Sequence, residues 1–132
     1  MKKYSDLLNL VQILNAFSQQ EEKTKSLMKL RKIGELIKPH LDKFNELKDE
    51  ARLDAASVDA NGNVITNEKG DYSFNKEGVK KLNQEIKNLL DTEIGFTPIQ
   101  VSYPEGLENF LFLEGWVKGV NFNKVEKEEI EL

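Results

Sequence analysis

The sequence predicts a mainly α-helical protein of the α+β class. It indicates an antiparallel helical hairpin with a third helix, a short β-hairpin and a small C-terminal strand–helix piece. Three observations predict this class: long stretches with apolar residues at three- and four-residue steps, two glycine turn signals in mid-chain, and one alternating stretch near the C-terminal end. A length of 132 residues fits one domain. We place it over residues 1–123 and expect an acidic mobile tail over 124–132.

The helical hairpin is predicted over residues 5–53. Its first helix, 5–18, carries an apolar stripe at helical spacing. Its second helix spans 23–53 and has an apolar residue at every seventh position, as in helices that follow a partner helix. These positions are Leu30, Ile37, Phe44 and Ala51. Pro39 lacks a backbone N–H and crowds the preceding turn, so a kink and a helix break both remain open there.

A β-turn region is predicted over residues 54–74, where the helical spacing stops. The dipeptide Asn61-Gly62 is a strong turn signal, and Gly70 marks a second turn. We therefore expect a short, exposed β-hairpin.

A third helix is predicted over residues 75–94. Asn75 suits its N-cap, Val79 begins its buried face, and Gly95 is placed to end it. A strand and a short helix are then expected over 97–119.

The predicted strand rests on alternation, because Ile99, Val101 and Tyr103 occupy every second position and should share one buried face. Pro104 suits the first turn of the short helix that follows.

Residues that carry chemistry are scarce. The chain has no cysteine, so disulfides, thiolate metal sites and cysteine nucleophiles are excluded. His40 is the single histidine, and no triad motif surrounds it. Asp59 begins a stretch with calcium-loop spacing, but Val64 and Gly70 stand where such a loop needs glycine and glutamate. We therefore expect no enzyme activity, no metal or other cofactor, and no small-molecule substrate.

Charge is unevenly distributed along the chain. The formal net charge is −4, with +3 over residues 1–52 and −7 over residues 53–132. Lys25, Lys29 and Lys32 form a basic stripe on one helical face, which suits either phosphate contacts to nucleic acid or the solvated back of an amphipathic helix. Nearby glutamates and the lack of interleaved aromatic residues favour the solvated face, so we do not expect nucleic acid as a partner.

Aromatic residues are concentrated late in the chain. Phe110 and Phe112 cannot share one narrow helical face, so this element is either covered on both sides or offers one side to a partner. The candidate partner contacts are Phe112, Trp116 and Phe122.

Several segments together carry a resemblance to a known group of proteins. They are LLNLVQILNAF, KLRKIGELIKPHLDKFNELKDE, NGNVITNEKGDYSF, KKLNQEIKNLLDTEI and LENFLFLEGWV. Over about residues 5–120 the chain resembles short proteins of unknown function encoded by tailed bacteriophages and prophages. The resemblance implies a phage-related origin and a virion or accessory role, and it carries over no catalytic residues.

The predicted function is that of a non-enzymatic interaction or structural protein that docks to itself or to a protein partner. Two alternatives remain: a phage inhibitor of a host defence or nucleic-acid enzyme that uses the acidic C-terminal half, and a nucleic-acid-binding accessory protein. The sequence has no cysteine, no apolar run of about 20 residues and no signal-peptide pattern. We therefore expect the host cytoplasm or the virion as its location, and no membrane partner.

Overall fold

The computed structural model describes residues 2–122 and confirms that the fold is mainly helical. In that part of the chain, three α-helices precede a small C-terminal segment. The helices are α1 (Tyr4–Ser18), α2 (Lys25–Ala55) and α3 (Lys76–Leu90). The C-terminal segment contains strand β1 (Ile99–Gln100), a 3₁₀ turn (Leu111–Leu113) and strand β2 (Val117–Lys118). The predicted acidic tail, 124–132, lies outside the described residues.

Helix α1 packs against α2. The rings of Tyr4 and Phe44 lie 5.3 Å apart between centroids, near the start of α1. Near its other end, the Arg31 guanidinium donates a hydrogen bond of 2.7 Å to the Gln20 carbonyl. These two contacts join Tyr4 to residue 44 of α2 and the chain that follows α1 to residue 31 of α2.

Helix α2 continues without a break through Pro39. Its first turn is capped by Thr24, whose hydroxyl accepts a hydrogen bond of 3.3 Å from the Leu27 N–H. A proline removes the hydrogen bond to the carbonyl four residues earlier, here that of Glu35. Glu35 and Pro39 are both exposed. Water can therefore solvate the carbonyl that Pro39 leaves without its helical donor.

The segment between α2 and α3 contains two successive turns built in the same way. In the first, the Asp59 carboxylate accepts hydrogen bonds of 2.9 Å from the N–H groups of Asn61 and Asn63. In the second, eight residues later, the Asn67 side chain accepts hydrogen bonds from Lys69 and Asp71 at 2.8 and 3.0 Å. One antiparallel bridge closes each turn. The segment therefore differs from the single β-hairpin that we expected, because each Asx–glycine turn closes on itself.

Helix α3 begins as predicted and ends earlier. Asn75 is its N-cap and accepts a hydrogen bond of 2.7 Å from the Gly78 N–H, which confirms the predicted cap. The helix ends at Leu90 instead of residue 94. The prediction that Val79 is buried is wrong, since its side chain is 45% exposed.

The C-terminal segment differs most from the prediction. Strand β1 is parallel to β2, with Ile99 beside Val117 and Gln100 beside Lys118. The expected strand is shortened to two residues, and β2 lies where we expected helix. Gly106 and Gly115 have φ values of +88° and +86°, which are incompatible with a continuous right-handed helix.

The core joins α1, α2 and the C-terminal segment. Five of its most deeply buried side chains are at most 2% exposed, and burial of each is worth about 1.5–3 kcal/mol. They are Leu7, Leu30, Ile37, Leu107 and Leu113. Between residues 2 and 122, no polar or charged side chain is buried. Apolar side chains of the C-terminal segment, such as Leu107 and Leu113, are thus part of the same core as those of the helices.

Among the described helices, none combines the length and apolar character needed to cross a bilayer.

Candidate partner-binding groove

A groove of about 330 Å³ lies between α2 and the residues that begin at β1. We call it the α2–β1 groove. Its walls come from two parts of the chain, four residues of α2 and six residues of the C-terminal segment. They are Lys29, Lys32, Ile33, Leu36, Ile99, Gln100, Val101, Ser102, Tyr103 and Leu107. Its volume is at the lower end of the range of ligand sites, about 300–1,000 Å³.

Two large apolar side chains of the groove are exposed. Leu36 is 52% exposed, although Ile33 and Ile37 on the same helix are buried, with exposures of 4% and 1%. Tyr103 is 75% exposed, so the prediction that it shares a buried face with Ile99 is wrong. Both are half or more in water, while apolar groups of the same groove, such as Leu107, are buried. The groove therefore combines an apolar floor with apolar surface that a partner could cover.

Two lysines of the predicted basic stripe line this groove. The Lys29 ammonium donates a hydrogen bond of 2.6 Å to the Glu105 carbonyl and lies 3.8 Å from the Glu105 carboxylate. Lys29 thus fastens the C-terminal segment to α2. Lys32 is exposed and gives the groove a positive rim. Lys25, the third member of the stripe, is the first residue of α2 and does not line the groove.

The backbone of β1 has one edge that β2 does not cover. The N–H groups of Ile99 and Val101 donate to the carbonyls of Trp116 and Lys118, each at 2.9 Å. Because successive residues of a strand direct their backbone groups to opposite sides, the N–H and C=O of Gln100 are directed away from β2. All five residues from 99 to 103 line the groove, so it follows this stretch of chain past the end of β1 at Gln100.

The three aromatic residues predicted as partner contacts lie against the core. Trp116 is 3% exposed and stacks edge-on against Phe96 at 5.0 Å. Phe112 is half-buried and stacks on Phe17 at 5.7 Å. Phe122 is also half-buried and packs against the core. The structure does not place these residues in the α2–β1 groove, and their role as partner contacts stays a prediction.

The single histidine takes part in aromatic packing. The His40 ring meets the Phe96 ring edge-on, with centroids 5.1 Å apart. Within residues 2–122, no group of three or more histidine, cysteine, aspartate or glutamate side chains is arranged to hold a metal ion. His40 is half-buried beside an apolar ring, a position that suits packing.

Two surface ion pairs account for the resolved pKa shifts. A hydrogen bond of 2.7 Å from Lys3 lowers the pKa of Asp91 below its ordinary value and raises that of Lys3. In the same way, Asp54 raises the pKa of Lys81, whose ammonium lies 2.7 Å from its carboxylate. The first pair joins the residue before α1 to the residue after α3, the second joins the last turn of α2 to α3, and both lie outside the groove. Their shifts stabilise the charged forms, whereas a general acid or base needs a pKa near the working pH.

Leu36 and the edge of β1 were missed by the sequence reasoning. Leu36 lies three residues after Ile33, so its apolar side chain fits the helical spacing and gives no sign of exposure. The signal that could have found it is its position beside Lys29 and Lys32 on the basic face, at three- and four-residue steps. The free strand edge requires knowledge of β2, which the sequence pattern did not predict.

Comparison of the chain with protein-family models, with curated proteins and with solved structures found no match.

Proposed function

We propose that this protein is a non-enzymatic interaction protein that docks to a protein partner or to a second copy of itself. The observation that carries the proposal is the α2–β1 groove, where Leu36 and Tyr103 are 52% and 75% exposed beside a free strand edge. Leaving such side chains in water forfeits apolar burial, worth about 25 cal/mol per Å². A partner that covers them recovers this free energy on binding.

The helices supply a stiff support for that surface. We propose that α1 and α2 act as an antiparallel hairpin, since Tyr4 packs on Phe44 and Arg31 reaches the Gln20 carbonyl. Leu30 and Ile37 of α2 are only 2% and 1% exposed, so the helix that carries Leu36 is anchored to the core along its inner side. A surface on an anchored helix loses little conformational entropy when a partner binds.

The non-enzymatic part of the proposal rests on the chemistry of the described residues. His40 packs against Phe96 at 5.1 Å. The resolved pKa shifts belong to the exposed pairs of Lys3 with Asp91 and Lys81 with Asp54, which they keep charged. Shape and surface chemistry are what this part of the chain offers to another molecule.

A phage or prophage origin remains part of the proposal because of the resemblance described above. It predicts that the gene lies among phage genes. A position among capsid and tail genes, together with recovery of the chain in purified particles, would support a virion role. A position among early genes would support an accessory role.

Sedimentation velocity tests the proposed docking. The purified protein is measured at increasing concentrations, and a fluorescently labelled sample is measured in extract of the cells that produce it. We expect a species larger than one chain in at least one of the two measurements. A strict monomer in both would contradict the proposed function.

A further inference from the structure

We propose that the α2–β1 groove binds an extended protein segment in which carboxylate side chains alternate with aliphatic ones, and that this segment adds as a strand to the free edge of β1. This proposal rests on the proposed function and specifies the surface, the binding mode and the partner chemistry.

The strand edge determines the binding mode. The N–H and C=O of Gln100 are directed away from β2, and the chain continues along the groove to Ser102, where it bends. A free edge offers unpaired backbone donors and acceptors that match those of another extended chain. Both residues line the groove. A segment lying in the groove is therefore beside groups with which it can form a backbone ladder.

The groove walls determine which side chains the segment carries. Along a strand, alternate side chains point to opposite sides, so one set meets the apolar floor and the other meets the rim. Ile33 and Leu107 form the floor at 4% and 1% exposure, and the exposed side chain of Leu36 extends it. Aliphatic side chains fit this set of contacts.

Charge determines the second set of side chains, which meets the rim of the groove. Lys32 is exposed on the rim, and Lys29 lies beside it with its ammonium 3.8 Å from the nearer Glu105 carboxylate oxygen. A second carboxylate near these two ammonium groups would gain attraction, and a cation would be repelled. The occupant thus carries its carboxylates on the side that faces Lys29 and Lys32.

Protein is favoured over nucleic acid by the same contacts. Phosphate binding draws on many cations and on aromatic rings for stacking. Here the walls contain two lysines and one aromatic side chain, Tyr103, beside aliphatic residues and a strand edge. Backbone pairing and an apolar floor are features that an extended polypeptide uses.

Fluorescence anisotropy with three short synthetic peptides tests the proposal on the full chain. The first alternates glutamate and valine, the second alternates lysine and valine, and the third is the glutamate–valine peptide with N-methylated backbone amides. We expect binding of the first, and at least about tenfold weaker binding of the other two, which corresponds to 1.4 kcal/mol or more. Equal binding of the N-methylated peptide would overturn strand addition.

Two pairs of variants locate the binding site. Leu36→Asn is matched by Leu53→Asn, since the two leucines lie on α2 at 52% and 50% exposure. Lys32→Glu is matched by Lys80→Glu, at an exposed position of α3. We expect L36N and K32E to weaken the glutamate–valine peptide about tenfold. We also expect K32E to improve binding of the lysine–valine peptide, and L53N and K80E to behave as wild type.

The remaining outcomes each contradict the proposal in a recognisable way. Equal affinity of L36N and wild type, with the helical circular dichroism signal retained, would show that the peptide binds elsewhere. If a single-stranded DNA oligonucleotide competes with the glutamate–valine peptide for wild type but not for K32E, the groove is a nucleic-acid site. If no peptide binds while the labelled protein still sediments as a larger species in extract, this inference fails and the proposed function stands.

Discussion

Gly119 offers a sharp test of how the C-terminal segment is packed. It has a φ of +92°, and a Cβ atom there would lie 2.5 Å from the Val101 carbonyl oxygen. Gly70 has a similar φ of +82°, but a Cβ atom there would meet no atom within 4 Å. The substitutions Gly119→Ala and Gly70→Ala therefore share the backbone strain and differ in the steric clash.

The two costs can be separated. A left-handed backbone costs an L-residue about 1–2 kcal/mol, which we expect for G70A. Overpacking costs about 1–3 kcal/mol more, so G119A should lose about 2–5 kcal/mol in total. With an m value of about 2 kcal/mol per M, a difference of about 2 kcal/mol lowers the urea midpoint of G119A by about 1 M relative to G70A.

Urea unfolding can be followed by tryptophan fluorescence, because Trp116 is the single tryptophan and is 3% exposed. Gly95→Ala is the control, since its Cβ atom would lie in open space and its φ is not positive, and its midpoint should stay close to wild type. Equal midpoints for G119A and G70A would refute the close approach of Gly119 to the backbone of Val101.

Three further predictions concern the helices. Asn75→Ala should lower the free energy of unfolding by about 1 kcal/mol in urea titrations, because it removes the cap of α3; no change would contradict that cap. Gly34→Ala should raise the free energy of unfolding by about 0.5–1 kcal/mol in urea titrations, because its Cβ atom would lie 3.9 Å from the Leu14 side chain without a clash. Destabilisation would indicate closer packing of α1 on α2. Asp91→Asn should destabilise the protein at neutral pH, and the difference from wild type should shrink below about pH 4. The sign follows because the ion pair with Lys3 lowers the folded-state pKa of Asp91, so its stabilisation is lost as pH falls through that value; a difference that does not change with pH would contradict this.

Helical features were largely predictable from sequence, because their signals are local. The seven-residue repeat of α2 correctly marked Leu30, Ile37 and Phe44, which are 2%, 1% and 4% exposed, whereas its fourth position, Ala51, is half-buried. The cap at Asn75 also depends on a few neighbouring residues and was predicted correctly. The sequence left open whether α2 kinks or breaks at Pro39. The free-energy cost of a proline inside a helix depends on whether water can solvate the carbonyl four residues earlier, which loses its helical hydrogen bond.

The C-terminal segment was harder to predict, because its structure depends on contacts between distant residues. Strand β2 is two residues long, and its partner Ile99 lies eighteen positions before Val117. Two residues are too few to show alternation. The positive φ values of Gly106 and Gly115 divide a stretch whose apolar spacing otherwise resembles a helix.

The candidate site depends both on local helical spacing and on contacts between distant residues. Lys29 and Lys32 were identified as a basic stripe, but their position beside a groove follows from where residues 99–103 pack. Tyr103 fits the alternation of a strand that ends, in the structure, at Gln100. Its exposure of 75% therefore depends on the end of the strand, which the pattern of alternating residues did not mark.

We propose that this protein works by contact through the α2–β1 groove. The most direct test is sedimentation velocity of labelled wild-type, L36N and L53N protein in extract of the cells that produce it. We predict that wild type and L53N sediment as a complex and that L36N sediments as a single chain. A complex of unchanged size and amount for L36N would contradict the claim.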